Sequence, residues 1–346
     1  QLLGEVLHSY GGGTINGQVG RYRDYIEWLH RQDAQQREAF WHQQLAPLNE
    51  PTRLAQALWQ DDTALGEGQA EYRHVVDAQH TEALSRFARQ QRVTVNTLVQ
   101  AAWLLLLQRY TGQQGVAFGA TVAGRPAELR GVEQQLGLFI NTLPVVGNPR
   151  PDQWVGEWLE HLQAQNISLR EFEHTPLYDI QRWAGVAGEG MFDTLLVFEN
   201  YPVSEALQRG ATSGLVFAGT QVREQSNYPL TLMIGLGQEL SINYLFDRAF
   251  YTEEGVRRIA EHFNCLLTAL AVNAQTPVGR LPMRDADDTQ RAIGHRPTQS
   301  PYPQDRCVHH LFEAQVHATP DAPALLFGEQ TVSYQQLNAR ANQLAA

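Results

Sequence analysis

The chain has 346 residues, 43% of them hydrophobic and 18% charged, with a formal net charge of −11. That balance is globular, with room for one large core or two medium ones, and the acidic excess argues against nucleic acid as a partner. All 26 basic residues are arginine, and Cys265 and Cys307 are the only cysteines, too few for a disulfide framework and suited to a reducing cytoplasm.

Gln1 stands inside what reads as a running helix ending near Tyr10. Residues 22–45 carry Tyr22, Tyr25, Ile26, Leu29, Phe40, Trp41 and Leu45 at helical spacing, and Pro47 ends the run. A short strand at 73–76 precedes a helix at 81–91, with Thr81 or His80 as its cap. Thr94 is placed to cap a helix at 95–110, apolar nearly all round and therefore buried. Its apolar run, 101–107, is far short of the ~20 residues of a membrane span.

Strands are expected at 116–122 and 142–146, an amphipathic helix at 154–172 and a short helix at 177–183. Four strands follow, at 194–198, 215–217, 230–236 and 240–244, closed by a helix at 254–272. From Asn273, the prolines at 277, 282, 297, 301 and 303 fall among polar residues and mark a linker. Beyond it come a helix at 308–317, a strand at 324–327 and a helix at 334–344 capped by Ser333. The organisation expected is 1–272, a linker at 273–305, and 306–346.

No H-E-x-x-H, C-x-x-C or G-x-S-x-G occurs, so metal-protease, redox and α/β-hydrolase chemistry have no support and no metal ligands are assigned. The glycines at 11–13, 66 and 68 lack the strand–turn–helix frame of a phosphate loop. More informative is a series of phrases in order: Tyr22-Arg-Asp-Tyr-Ile-Glu-Trp28; Gly119 through Gly124-Arg125-Pro126; Leu136-Gly-Leu-Phe-Ile-Asn141-Thr142; His174-Thr-Pro176-Leu-Tyr178; Phe192-Asp193 through Phe198-Glu-Asn-Tyr-Pro202; and Arg223-Glu-Gln-Ser226-Asn-Tyr228-Pro-Leu230.

Together these resemble the condensation domains of nonribosomal peptide synthetases. The opening Val308-His309-His310-Leu-Phe312, then Thr319-Pro-Asp-Ala-Pro323 and Ser333-Tyr334-Gln-Gln336-Leu337-Asn338, is similar to the start of an adenylation (AMP-binding) domain; Gln336 stands where that family has glutamate. The resemblance implies an α/β fold: a chloramphenicol-acetyltransferase-like lobe, the second half of the condensation pseudo-dimer, with a mixed sheet flanked by helices and a truncated adenylation N-terminus. It implies amide-bond formation between two carrier-bound thioesters, in the cytoplasm and away from any membrane. The implied partners are peptidyl carrier proteins bearing 4'-phosphopantetheine, the N-terminal condensation lobe and the rest of the synthetase. ATP and Mg would serve only the adenylation domain, and no cofactor is expected on this segment. An epimerisation domain, a carrier-docking scaffold without catalysis and a coenzyme A-dependent acyltransferase share the fold; the adenylation opening disfavours the first and the last.

The family's reaction centre, H-H-x-x-x-D-G, is not in the sequence. The one histidine pair, His309-His310, is followed by Ala314 and Gln315 where Asp and Gly would stand. The expectation is that the motif lies upstream of Gln1 and that the chain alone is inactive. The resemblance makes Arg125 the candidate to hold the aspartate of that motif, an ordinary turn arginine being the alternative. Asn141 and Thr142 are candidates to line the substrate tunnel, or to end a strand, and Ser226 is a candidate tunnel hydroxyl. The segment from Asp193 to Pro202 is expected to reach toward the other lobe, which would leave Leu195, Val197 and Phe198 exposed.

Overall fold

The computed structural model describes residues 2–14, 20–58, 66–126, 128–186, 188, 190–199, 225–284, 307–328 and 330–345. The chain divides into two compact units, Gln1–Asp285 and Ala286–Ala346.

The first unit opens with α1 (Leu2–Tyr10), α2 (Tyr22–His30), α3 (Ala34–Leu45) and a short α4 (Leu54–Ala57). The helix expected over 22–45 is thus two helices. Asp33 divides them: its backbone is extended, and its carboxylate accepts hydrogen bonds from the backbone N–H of Gln35 (2.8 Å) and Gln36 (3.2 Å). An aspartate cap restarts a helix without any glycine or proline to announce the break.

Six strands form a mixed sheet: β1 (Gln69–Val76), β2 (Val116–Val122), β3 (Asn141–Gly147), β4 (Thr194–Glu199), β5 (Leu230–Leu236) and β6 (Leu240–Asp247). Their order is β1-β6-β5-β4-β2-β3, with β4 parallel to β2 and to β5 and every other pair antiparallel. The expected strand at 215–217 lies outside the described residues. Helices α5 (Ala78–Gln91), α6 (Val95–Thr111), α7 (Val155–Arg170), α8 (Leu177–Trp183) and α9 (Glu253–Leu270) complete the unit.

The core is organised around α6. Thr94 caps it as expected, its hydroxyl accepting the Thr97 N–H at 3.1 Å, and Gly112 ends it at φ +73°. Every residue from Thr97 to Leu107 is buried. Helices α4, α5, α7 and α9 and strand β2 pack around it. Trp103, fully buried, packs edge-on to Phe263 of α9 and donates its indole N–H to the Thr194 hydroxyl of β4 at 3.3 Å. Each fully buried leucine here is worth about 1.5–3 kcal/mol of transfer free energy.

The cap of α5 is neither Thr81 nor His80. Asp77 does that work, accepting the His80 N–H at 2.9 Å. Thr81 is buried instead, donating to the Val76 carbonyl (3.0 Å) and accepting from the Leu240 N–H (2.9 Å), so it ties α5 to the β1–β6 edge.

Two further expectations are corrected. Residues 273–284 do not begin the linker. Gly156 N–H bonds to Ala274 O, Val155 N–H to Thr276 O and Val278 N–H to Gln153 O, while Arg109 donates to the carbonyls of Val278 (3.1 Å) and Leu281 (2.8 Å). Val278 and Leu281 are buried, so the prolines at 277 and 282 shape a docked tail rather than a free spacer. Nor does the segment from Asp193 lie exposed: β4 is interior to the sheet, Leu196 is buried, and Leu195, Val197 and Phe198 are half-buried. Residues 200–202 of that segment lie outside the described residues.

In the second unit, α10 (Val308–Ala318), the hairpin β7 (Pro323–Phe327) and β8 (Gln330–Ser333), and α11 (Tyr334–Ala345) follow in order. Ser333 caps α11 as expected. Its hydroxyl accepts the Gln336 N–H at 3.3 Å while Gln336 Oε1 accepts the Ser333 N–H at 3.1 Å, a reciprocal capping box in which glutamine replaces glutamate without loss of the bond. Among the described residues, no helix is long and apolar enough to cross a membrane.

Asp193 is buried, and its two carboxylate oxygens accept the N–H groups of Leu54 (3.0 Å) and Ala55 (2.9 Å) at the start of α4. Asp193→Ala leaves both donors unpaired, so the urea-unfolding midpoint should fall by the equivalent of about 1–3 kcal/mol with the slope unchanged. An unchanged midpoint would refute this anchoring.

Candidate functional site

Most of the phrases singled out in the sequence meet in one place. Tyr22, Tyr25 and Trp28 project from successive turns of α2, and Phe139 is brought against them by the loop that leads into β3. The Phe139 ring lies 5.3 Å from that of Tyr22 and 4.7 Å from that of Tyr25, and Tyr25 stacks on Trp28 at 6.1 Å. Tyr22 Oη donates to the Leu138 carbonyl at 2.8 Å. The approach is possible because residue 137 is glycine: a Cβ there would stand 2.2 Å from the Tyr22 ring.

Arg125 joins the same cluster. Its guanidinium lies 4.2 Å over the Phe139 ring and donates to the carbonyls of Val132 and Gln135. It is half-buried, and it closes its own loop, residues 125–139, by a cation–π contact and charge-assisted hydrogen bonds. The preceding Gly124 has φ +61°, and a Cβ there would meet the Phe139 carbonyl oxygen at 2.0 Å, which excludes any side chain. Gly124 N–H in turn donates to Glu173 Oε2 at 3.2 Å.

At the far end of the cluster Trp28 meets His174 edge-to-face at 5.0 Å. Beside them opens a cleft of about 1520 Å³, lined by the end of β2, the Gly124–Arg125–Pro126 turn, β3, the start of α6, the second half of α7 and the turn carrying Glu173 and His174. Burial, with the Arg37 charge second, lowers the His174 pKa to about 4 against the opposing pull of Glu128, and Nε2 is buried without a partner. The ring is therefore a neutral imidazole at neutral pH, with a nitrogen free to accept or donate a hydrogen bond. Glu173 is pushed above the usual carboxylate range by burial, with the Gly124 N–H and the Arg170 charge opposing.

Glu173 and His174 are what sequence reasoning missed. The phrase from His174 to Tyr178 was visible, but nothing in it distinguishes a cleft imidazole from a solvated one.

The structure places the other candidates as follows. Asn141, at the first position of β3, donates both amide N–H bonds to backbone carbonyls, those of Glu173 (2.8 Å) and Thr175 (2.7 Å). These two bonds staple the turn on either side of His174. Thr142 is half-buried opposite Thr121 in the β2–β3 pair. Ser226 builds the turn into β5: its hydroxyl accepts the Tyr228 N–H (3.1 Å) and the Thr231 hydroxyl (2.6 Å), and its carbonyl accepts from Gln69 Nε2 (2.6 Å). None of these three lines the cleft among its described residues.

Because His174 titrates lower in the folded chain than its ordinary 6.5, the unfolded chain takes up its proton first. Its contribution to stability is therefore complete above about 6.5 and is lost as pH falls from there to about 4. A ring titration followed by NMR should place its midpoint near 4. In Asn141→Ala the turn loses both anchors, at a cost of about 1–2 kcal/mol, and the midpoint should move back toward 6.5 as water reaches the ring. A midpoint unmoved by this change would separate the staple from the imidazole.

Residues 2–292 match the condensation-domain family. Among curated proteins, the chain is 41% identical to a linear gramicidin synthase of Brevibacillus parabrevis, over 99% of the chain but 7% of the relative. It is 31% identical to tyrocidine synthase 2 of Brevibacillus parabrevis and 32% identical to surfactin synthase subunit 3 of Bacillus subtilis (strain 168), over 94% of the chain and 9% and 25% of those proteins. The chain thus spans a small part of each. In fold it is similar to the first condensation domain of the calcium-dependent antibiotic synthetase in complex with a substrate analogue, with TM-score 0.62, 16% identity, and coverage of 81% of this chain and 62% of that one. It is also similar to a four-domain nonribosomal peptide synthetase bound to AMP and glycine, with TM-score 0.64, 15% identity, and coverage of 91% and 25%. The sheet, the aromatic cluster and the cleft are therefore those of a chain that belongs to the condensation-domain family of nonribosomal peptide synthetases.

Proposed function

We propose that the chain supplies one wall of an amide-forming site, with carrier-bound thioesters as substrates. The amine of an aminoacyl thioester attacks the carbonyl carbon of an upstream acyl or peptidyl thioester. The C–N bond forms, the C–S bond breaks, and the pantetheine thiol leaves with the proton lost by the amine. The observation that carries this is the convergence of the family phrases on one cleft beside a neutral imidazole, His174. Such a wall, with an unpartnered imidazole nitrogen beside it, suits a pantetheine arm with its two amides. The partners are then peptidyl carrier proteins carrying 4'-phosphopantetheine.

Proton transfer in this reading belongs to H-H-x-x-x-D-G, which this sequence does not contain. Arg125 would hold the aspartate of that motif indirectly, by fixing the turn that faces it, since its terminal nitrogens already serve the Val132 and Gln135 carbonyls. Residues 306–346 are proposed to open an adenylation domain on the phrases at Val308–Phe312, Thr319–Pro323 and Ser333–Asn338; ATP and Mg would serve that domain alone.

Purified chain mixed with two loaded carrier proteins should yield no amide product by mass spectrometry, and any product above a carrier-only control overturns the assignment of proton transfer to the absent motif. In a synthetase containing the chain, Arg125→Ala should slow condensation about ten-fold or more while ATP–pyrophosphate exchange continues. Condensation at the original rate would return Arg125 to an ordinary turn.

A further inference from the structure

We propose that Cys307, His309 and His310 form an exposed binding site for a divalent ion of the zinc and cobalt class. Among the described residues, these three make a group of metal-ligating side chains whose donor atoms all lie within 4.8 Å of one another. Sequence patterns for metal sites did not find it, because its spacing, C-x-H-H, matches none of the usual ones.

The local geometry brings the donors together. Cys307 is the N-cap of α10, with an extended backbone at φ −77° and ψ 157°, and its side chain makes no capping hydrogen bond. The thiol is thus turned toward the first helical turn without serving it. His309 and His310 occupy that turn. Successive residues on a helix point about 100° apart and do not ordinarily face each other. Here the two rings nevertheless lie with centroids 4.1 Å apart at 61°, on the side of the thiol. All three residues are exposed, so small side-chain rotations can bring the donors to the roughly 3.3–3.6 Å separations of a tetrahedral ion with Zn–N near 2.0 Å and Zn–S near 2.3 Å.

The donor set selects the ion. One sulfur and two imidazole nitrogens suit zinc, cobalt and their borderline neighbours, whereas magnesium and calcium require oxygen ligands. On binding, the Cys307 S–H bond breaks as the S–metal bond forms, and the proton goes to solvent. The imidazoles coordinate in their neutral form, and water completes the shell.

Titration of chelator-treated, reduced full-length chain with cobalt(II) tests this. Expected are a sulfur-to-cobalt charge-transfer band saturating at one ion per chain, loss of that band in Cys307→Ser, and affinity weakened about ten-fold or more in His309→Ala and in His310→Ala. Cys265→Ser and His317→Ala, the latter changing an exposed histidine further along α10, should bind as the unaltered chain does. No band, a band that survives Cys307→Ser, or saturation at one ion per two chains would overturn the site.

Discussion

A helix that is apolar on every side has no face to leave in water, and α6 imposes that constraint on the first unit. Strand β2 and helices α4, α5, α7 and α9 pack around it, and burial runs without a break from Thr97 to Leu107. Its two ends then place the neighbours. At the N-terminus, Thr94 and Thr97 share Gln163 of α7 as a partner, at 3.0 Å from the Thr94 N–H and 2.7 Å from the Thr97 hydroxyl, which sets α7 along the cleft. At the C-terminal end, Arg109 holds the carbonyls of Val278 and Leu281, closing the unit over the docked tail. Burial lowers the Arg109 pKa, and the two carbonyl bonds offset part of that desolvation.

With α7 and β3 fixed, the cleft acquires its chemistry through a relay of short contacts. Arg125 holds its loop, the loop presents Phe139, and Phe139 packs on Tyr25, which stacks on Trp28, which meets His174. Asn141 fixes the turn from the other side through the carbonyls of Glu173 and Thr175. Residues far apart in sequence are thereby joined into one rigid wall. Four of the ordered phrases supply contacts of this relay; glycine is required at 137 by close approach, and at 124 by close approach together with a positive φ.

Much of this was legible in the sequence, and what was not has a physical reason. The all-apolar α6 and its Thr94 cap were readable because period and cap agree. The break at Asp33 was hidden because an aspartate looks like one more polar residue on a helix face until its N–H partners are known. The prolines at 277 and 282 read as a spacer because composition does not reveal that Arg109 waits for the intervening carbonyls. At the site, Arg125 was singled out as the partner of an aspartate; it lines the cleft, and its hydrogen bonds go to its own loop. Asn141 and Ser226 were chosen for polar side chains, which here bond the Glu173 and Thr175 carbonyls and the turn into β5 respectively. The converse error left His174 without a role, since only three-dimensional burial makes its ring neutral.

The cleft's electrostatics follow from the same packing and bear on what can react there. Its two titratable groups nearest the relay are both shifted toward their uncharged forms, His174 downward and Glu173 upward, with burial the leading cause for each. The shift is local to the relay, because the rest of the lining carries charged groups, Arg37, Arg170, Asp33 and Glu128 among them. What the relay itself offers a ligand is directed hydrogen bonding and aromatic surface. In the proposed condensation, delivery comes from the carriers and chemistry from a group of opposite character, a titrating histidine free to exchange its proton near neutral pH. His174 is held too far from that condition to serve, so in the proposed condensation its part is to position the substrate and not to move the proton.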